Sequence, residues 1–209
     1  MDDELNDLSD EEGGLPRPKF PAHFAGQQLF IRGEDWHNNA MLGWSGCSGE
    51  LYAAGYKDAA DALVEALAER KASLDSVVYP LVFLYRQGIE LQLKLILPLA
   101  RRLAGKAPVD DHKHFLPPLW NELHLILKQL DPPGDDQDLQ ALGAFIQQLD
   151  QVDPASFAFR YHKDKQGQVS LPALSHINVR HLAEVMDSVF LLLGGIHSWL
   201  GDMDYQEPI

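Results

Sequence analysis

The chain has 209 residues, with 31 acidic and 17 basic side chains and a formal charge of -14. With 45% hydrophobic residues it can bury a core and is not disordered throughout. Its charge argues against a general nucleic-acid coat, which needs a surplus of Lys and Arg, and its single cysteine, Cys47, excludes an internal disulfide and a Cys-based zinc cluster.

Residues 1–12 carry seven acids and no base, and Gly13, Gly14, Pro16 and Pro18 follow. Residues 1–19 are therefore expected to be a solvated acidic tail. The start has neither a positive charge nor an apolar stretch, so no secretory leader is expected. The longest apolar candidate for a membrane span, Val189 to Ile196, is too short, and a cytoplasmic, reducing location is expected. Residues 20–50 mix Phe20, Phe24, Phe30, Trp36 and Trp44 with five glycines and fit no period. They read as an irregular arm packing its aromatics on the main domain, with a short strand at 28–32.

From about residue 51 to 209 the pattern is that of a helical bundle. Tyr56, Ala59, Ala60, Leu63, Ala66 and Leu67 share one helical face, bounded by Gly55 and by Lys71–Ser73. A long second helix is predicted with Pro80 in its first turn and Pro98 bending or ending it, and with Gly105 beyond. It is apolar on most sides, which places it centrally. A third helix follows Pro117 and Pro118 and stops at Asp131-Pro-Pro-Gly, and a fourth runs through Leu139, Leu142, Ile146 and Leu149 to Asp153-Pro154. Residues 157–172 alternate around a charged, glycine-bearing centre, which predicts a short β-hairpin. The last helix starts near Asn178, a good cap. The predicted fold is all-α, about five helices with a hairpin insertion before the last.

Arg86, Glu90 and Lys94 repeat at i, i+4 and i+8 on the central helix. They read either as a polar seam facing a ligand or partner, or as a solvated stripe of ordinary ion pairs. Asp110-Asp-His-Lys-His114 offers two imidazoles and two carboxylates, but no third or fourth ligand is fixed nearby. We expect no metal there, and a role for His114 at the start of the third helix. Arg160 can grip a phosphate or carboxylate through its planar fork, and His162 can move a proton near neutral pH. Alternatively, Arg160 pairs with a helical acid such as Glu90. Arg180 and His181 open the last helix, where a cation is badly placed for the dipole and implies a local acid. Ser45-Gly-Cys-Ser-Gly49 has the look of a thiol loop without a base. Phosphate-binding glycine loops, His-Glu-x-x-His and Gly-x-Ser-x-Gly are absent, and no cofactor is expected.

Three stretches carry a family resemblance: Tyr85-Arg-Gln-Gly-Ile-Glu-Leu-Gln-Leu-Lys-Leu-Ile-Leu97, His114-Phe-Leu-Pro-Pro-Leu-Trp120 and Phe159-Arg-Tyr-His-Lys-Asp164. In order and spacing they resemble the HEPN superfamily of small helical bundles, over Tyr56 to Leu200. The resemblance implies a bundle that dimerises, here through the face with Arg86, Glu90 and Arg160, in a prokaryotic defence or stress setting. Many such proteins are metal-independent ribonucleases with an Arg and a His four to six residues apart near the last helix. Here Arg160 and His162 are separated by one residue and Arg180 and His181 by none, while Arg32 and His37 lie in the arm. The leading expectation is a non-catalytic member binding a nucleotide, RNA or a protein partner. The alternatives are a ribonuclease with a nonstandard Arg160/His162 site, and an interaction module without ligand.

Overall fold

The three- and four-residue spacing of Ala53, Tyr56, Ala60, Leu63 and Leu67 closes into α1, Ser48–Ala68, which runs straight through Gly55. The computed structural model that shows this describes residues 26–42, 48–109, 114–132 and 134–206. Four further helices follow: α2 Leu74–Leu103, α3 Leu116–Leu130, α4 Asp136–Val152 and α5 Val179–Gln206. Residues 1–44 and 45–209 form separate units. The expected tail 1–19 lies outside the described residues.

Helix α2 is the hub of the second unit. It packs against α1, α3 and α5, while α4 packs on α3. It buries Leu81, Val82, Tyr85, Ile89, Leu93, Ile96, Leu97 and Ala100, and each fully buried aliphatic is worth about 1.5–3 kcal/mol. That burial explains one correction: Pro80 is not in the first turn but inside the helix, which begins six residues earlier at Leu74. Pro98, expected to bend or end the helix, lies inside it, with Arg101 and Arg102 in the last turn as expected. Both prolines sit on the exposed side, where a missing N–H costs least. Beyond Pro98, Ala100 is enclosed and Arg101 forks onto Glu122 of α3, Nε to Oε1 at 2.7 Å and Nη2 to Oε2 at 2.6 Å. These anchors offset the roughly 3 kcal/mol an interior proline costs. The helix then stops as expected, with Gly105 left-handed at φ 64° and Lys106 N–H donating to Arg101 O.

Gly88 is where α5 meets α2. A Cβ there would lie 2.8 Å from Cζ of Phe190, so a larger residue requires the Phe190 ring to shift. Helix α3 ends at Asp131, itself left-handed at φ 54°. Asp135 caps α4 by accepting Gln137 N–H, and Asn178 Oδ1 accepts His181 N–H at the start of α5.

The hairpin expected at 157–172 is not there. No strand occurs among the described residues, and the segment is a loop closed by one isolated antiparallel bridge, Lys163 with Val169. Backbone pairing is confined to the bonds around this bridge, Asp164 N–H to Gln168 O and Ser170 N–H to His162 O, and Asp164 Oδ1 adds to the turn by accepting the amides of Gln166 and Gln168. Pairing stops short of Pro172, which has no N–H to give. The expected strand at 28–32 is likewise absent. Residues 26–42 are bends and one 3₁₀ turn, Trp36–Asn38, tied by Asn39, which accepts Gly33 N–H and donates to Gly33 O.

Candidate functional site

Arg86 and Glu90 are each 1% exposed, so the stripe on α2 is neither a solvated face nor a docking face. Arg86 makes four hydrogen bonds within the bundle. Its Nη1 donates to Glu90 Oε2 at 3.1 Å, Nε to Asp153 O at 3.1 Å, and Nη2 to His114 O at 3.0 Å and Pro154 O at 3.3 Å. One guanidinium thus ties α2 to the start of α3 and the end of α4. Lys94 Nζ donates to Glu90 Oε1 at 2.6 Å, and His114 Nδ1 lies 2.8 Å from the same oxygen. Burial alone would push the Glu90 carboxyl up; the bonds from Lys94, His114 and Arg86 outweigh it and hold the group below its ordinary range. A dimer face cannot include Arg86 and Glu90, because both are enclosed in their own protomer. His114 does not bond the first turn of α3 through its ring, which instead reaches Glu90 and is otherwise 76% exposed. Residues 110–113 and Cys47 lie outside the described residues. Among the described residues no group of three His, Cys, Asp or Glu could hold a metal ion.

Three of the other predicted cations line one groove of about 1410 Å³. The end of α1, the first turns of α2, the loop 158–178 and the first turns of α5 form its walls. Arg160, His162 and Arg180 all face it, with Tyr79, Tyr161 and His176. His181 does not line it. The expected pairing of Arg160 with Glu90 does not occur. Arg160 Nε instead donates to Ser156 O at 2.5 Å, and its guanidinium lies 5.5 Å over the Phe83 ring and 5.6 Å over Tyr161. Tyr161 in turn stacks on Phe157 at 4.6 Å. This stack fixes the plane of the guanidinium and leaves both terminal amino groups without a carboxylate among the described residues. Arg180 makes no ion pair among them either, so the acid expected beside it is missing even though Glu184 lines the same groove.

Of the acids lining the groove, Asp75, Glu184 and Asp187, the last is bonded by Lys57, which donates to it at 2.7 Å and to Asp61 at 2.5 Å. Tyr85 O–H donates to Asp61 Oδ1 at 3.1 Å, and burial, with that carboxylate, pushes the phenol well above its usual range. Ser170 Oγ in the groove wall is buried without a partner among the described residues. Chemically, the groove offers one stacked cation, Arg160, a second cation, Arg180, and aromatic surface beside three acids, which suits a ligand that places a phosphate or carboxylate at Arg160. Sequence reasoning missed Phe83, Asp153 and Ser170. Only Asp153-Pro154 carried a signal, since Asp before Pro at a helix end marks an Asx-type turn. No protein-family model, curated protein or solved structure matches the chain. No helix among the described residues is long and apolar enough to cross a membrane.

Proposed function

We propose that this is a HEPN-like, non-catalytic domain that binds a phosphate-bearing ligand, a nucleotide or a short RNA segment, in the Arg160 groove. The observation that carries the reading is the stacked Arg160 guanidinium, held at Nε and over two rings while its terminal amino groups have no carboxylate. Arg180, without an ion pair among the described residues, supplies a second cation in the same groove. The cytoplasmic location rests on the lone thiol, and the prokaryotic defence or stress setting on the resemblance alone. So does the dimer, whose face would have to be built around Arg160 without Arg86 and Glu90.

The ribonuclease reading keeps one supporting feature, the presence of His162 in the same groove. One set of measurements separates the two. Fluorescence anisotropy of a labelled ten-nucleotide RNA, with ATP as competitor, should give saturable binding. Arg160→Ala and Arg180→Ala should each weaken it by about tenfold or more, the size of one lost charge-assisted hydrogen bond. The same RNA incubated with EDTA should stay intact. Cleavage that His162→Ala abolishes would favour the ribonuclease; binding unaffected by either arginine variant would refute the groove.

A further inference from the structure

Arg160 owes its position to a short relay that begins on α2. Asp153, 2% exposed, closes the turn after α4: its Oδ1 accepts Phe157 N–H at 2.5 Å and Ala158 N–H at 2.9 Å. Its carbonyl accepts Arg86 Nε–H at 3.1 Å, so the turn is tied to the buried junction. Within the turn Ser156 adopts φ 54°, a left-handed conformation that residues with a Cβ rarely take and that persists only when surroundings impose it. The carbonyl of that same Ser156 accepts Arg160 Nε–H at 2.5 Å. The ring of Phe157, whose amide Asp153 holds, carries Tyr161, one of the two rings under the guanidinium.

We infer that Asp153 is a positioning residue for the groove: by closing the 153–158 turn it aims the Ser156 carbonyl and the Phe157–Tyr161 stack that fix Arg160. Its functional meaning rests on the ligand-binding reading above, but the positioning itself does not need a ligand to be seen. In the wild-type protein, hydrogen exchange of the Arg160 Nε–H, followed by NMR, should be slow and should occur together with exchange of the Phe157 and Ala158 amides. An Arg160 Nε–H that exchanges far ahead of those amides overturns the inference.

Asp153→Ala then reads the consequence. It should release the Arg160 Nε–H while leaving the amides of Leu123 and Leu127 in α3 protected, and weaken binding of the labelled RNA about tenfold, as misplacing one charge-assisted bond does. Asp153→Asn keeps the accepting oxygen and should restore both. In an Arg160→Ala background, Asp153→Ala should cost no further affinity, because a residue that acts through another adds nothing once that one is gone. Equal weakening in both backgrounds contradicts the relay. If the wild type binds neither RNA nor ATP, the ligand reading falls and the exchange measurement alone decides the positioning.

Discussion

Glu90 shows how much one side chain can settle at this site. A carboxylate enclosed on a central helix is tolerable only because Arg86, Lys94 and His114 all reach it. Glu90→Ala strands Arg86 in the core, and removing one partner of a buried pair costs about 3–5 kcal/mol. Chemical denaturation should report a loss of that size, against about 1 kcal/mol or less for the exposed Lys71→Ala. The sign with pH follows from the lowered carboxyl. A group held below its unfolded value stabilises the fold above that unfolded value, and the contribution fades as pH falls through the folded one. The wild type should therefore lose stability on acidification below the ordinary carboxylate range, and Glu90→Gln should flatten that limb. Asp150 works in the opposite sense. Burial raises it, Arg86 opposes the rise and Asp153 adds to it, so its contribution fades as pH rises. At this scale the sequence was half legible. The i, i+4, i+8 spacing of Arg86, Glu90 and Lys94 marked a linked set, but spacing carries no information on what lies opposite. The partners Asp153 and His114 are 67 and 28 residues from Arg86, and only packing brings them there.

Among the elements, α2 and α5 were read from the same apolar periodicity and met different fates at their edges. Leucines at helical spacing located both, and Asn178 located the start of α5, since capping is a local property. The proline rule failed on α2 at Pro80 because tertiary packing on both sides of it outweighs a local cost. The hairpin failed for the reverse reason. Alternation at 157–172 was real, but a two-stranded ribbon needs a third strand or a packed face, and backbone pairing here is limited to the bonds around the Lys163–Val169 bridge. Helix α5 also contains Gly194, where an added Cβ meets nothing within 4 Å. Gly194→Ala should raise the melting temperature by a gain of up to about 1 kcal/mol, the propensity difference between the two residues. Gly88→Ala should do the opposite and lower it, by about 1–3 kcal/mol from overpacking against Phe190. Thermal unfolding followed by circular dichroism compares the pair directly, and a Gly88→Ala protein as stable as the wild type would contradict the close approach of α2 and α5.

Across the whole molecule, the formal charge of -14 divides unevenly. Setting aside the seven acids of residues 1–12 leaves 24 acids against 17 bases, a net of -7. On that mildly acidic background, Arg160 and Arg180 share one groove without ion pairs among the described residues; of its three acids, Asp75, Glu184 and Asp187, the last is bonded by Lys57. A general attraction for nucleic acid is not expected from such a surface; a local contact with one or two phosphates is. A second, apolar groove of about 550 Å³ lies between α4 and α5, with Leu191 79% exposed beside it, and it is the natural control for where a ligand binds. The most direct measurement is an NMR titration of the wild-type protein with the ten-nucleotide RNA and, separately, with ATP. Shifts confined to the Arg160 and Arg180 side chains, Tyr161 and Ser170 are the predicted result. Shifts centred on Leu191 and Trp199 of the α4–α5 groove, or no saturable shift with either ligand, would contradict the account.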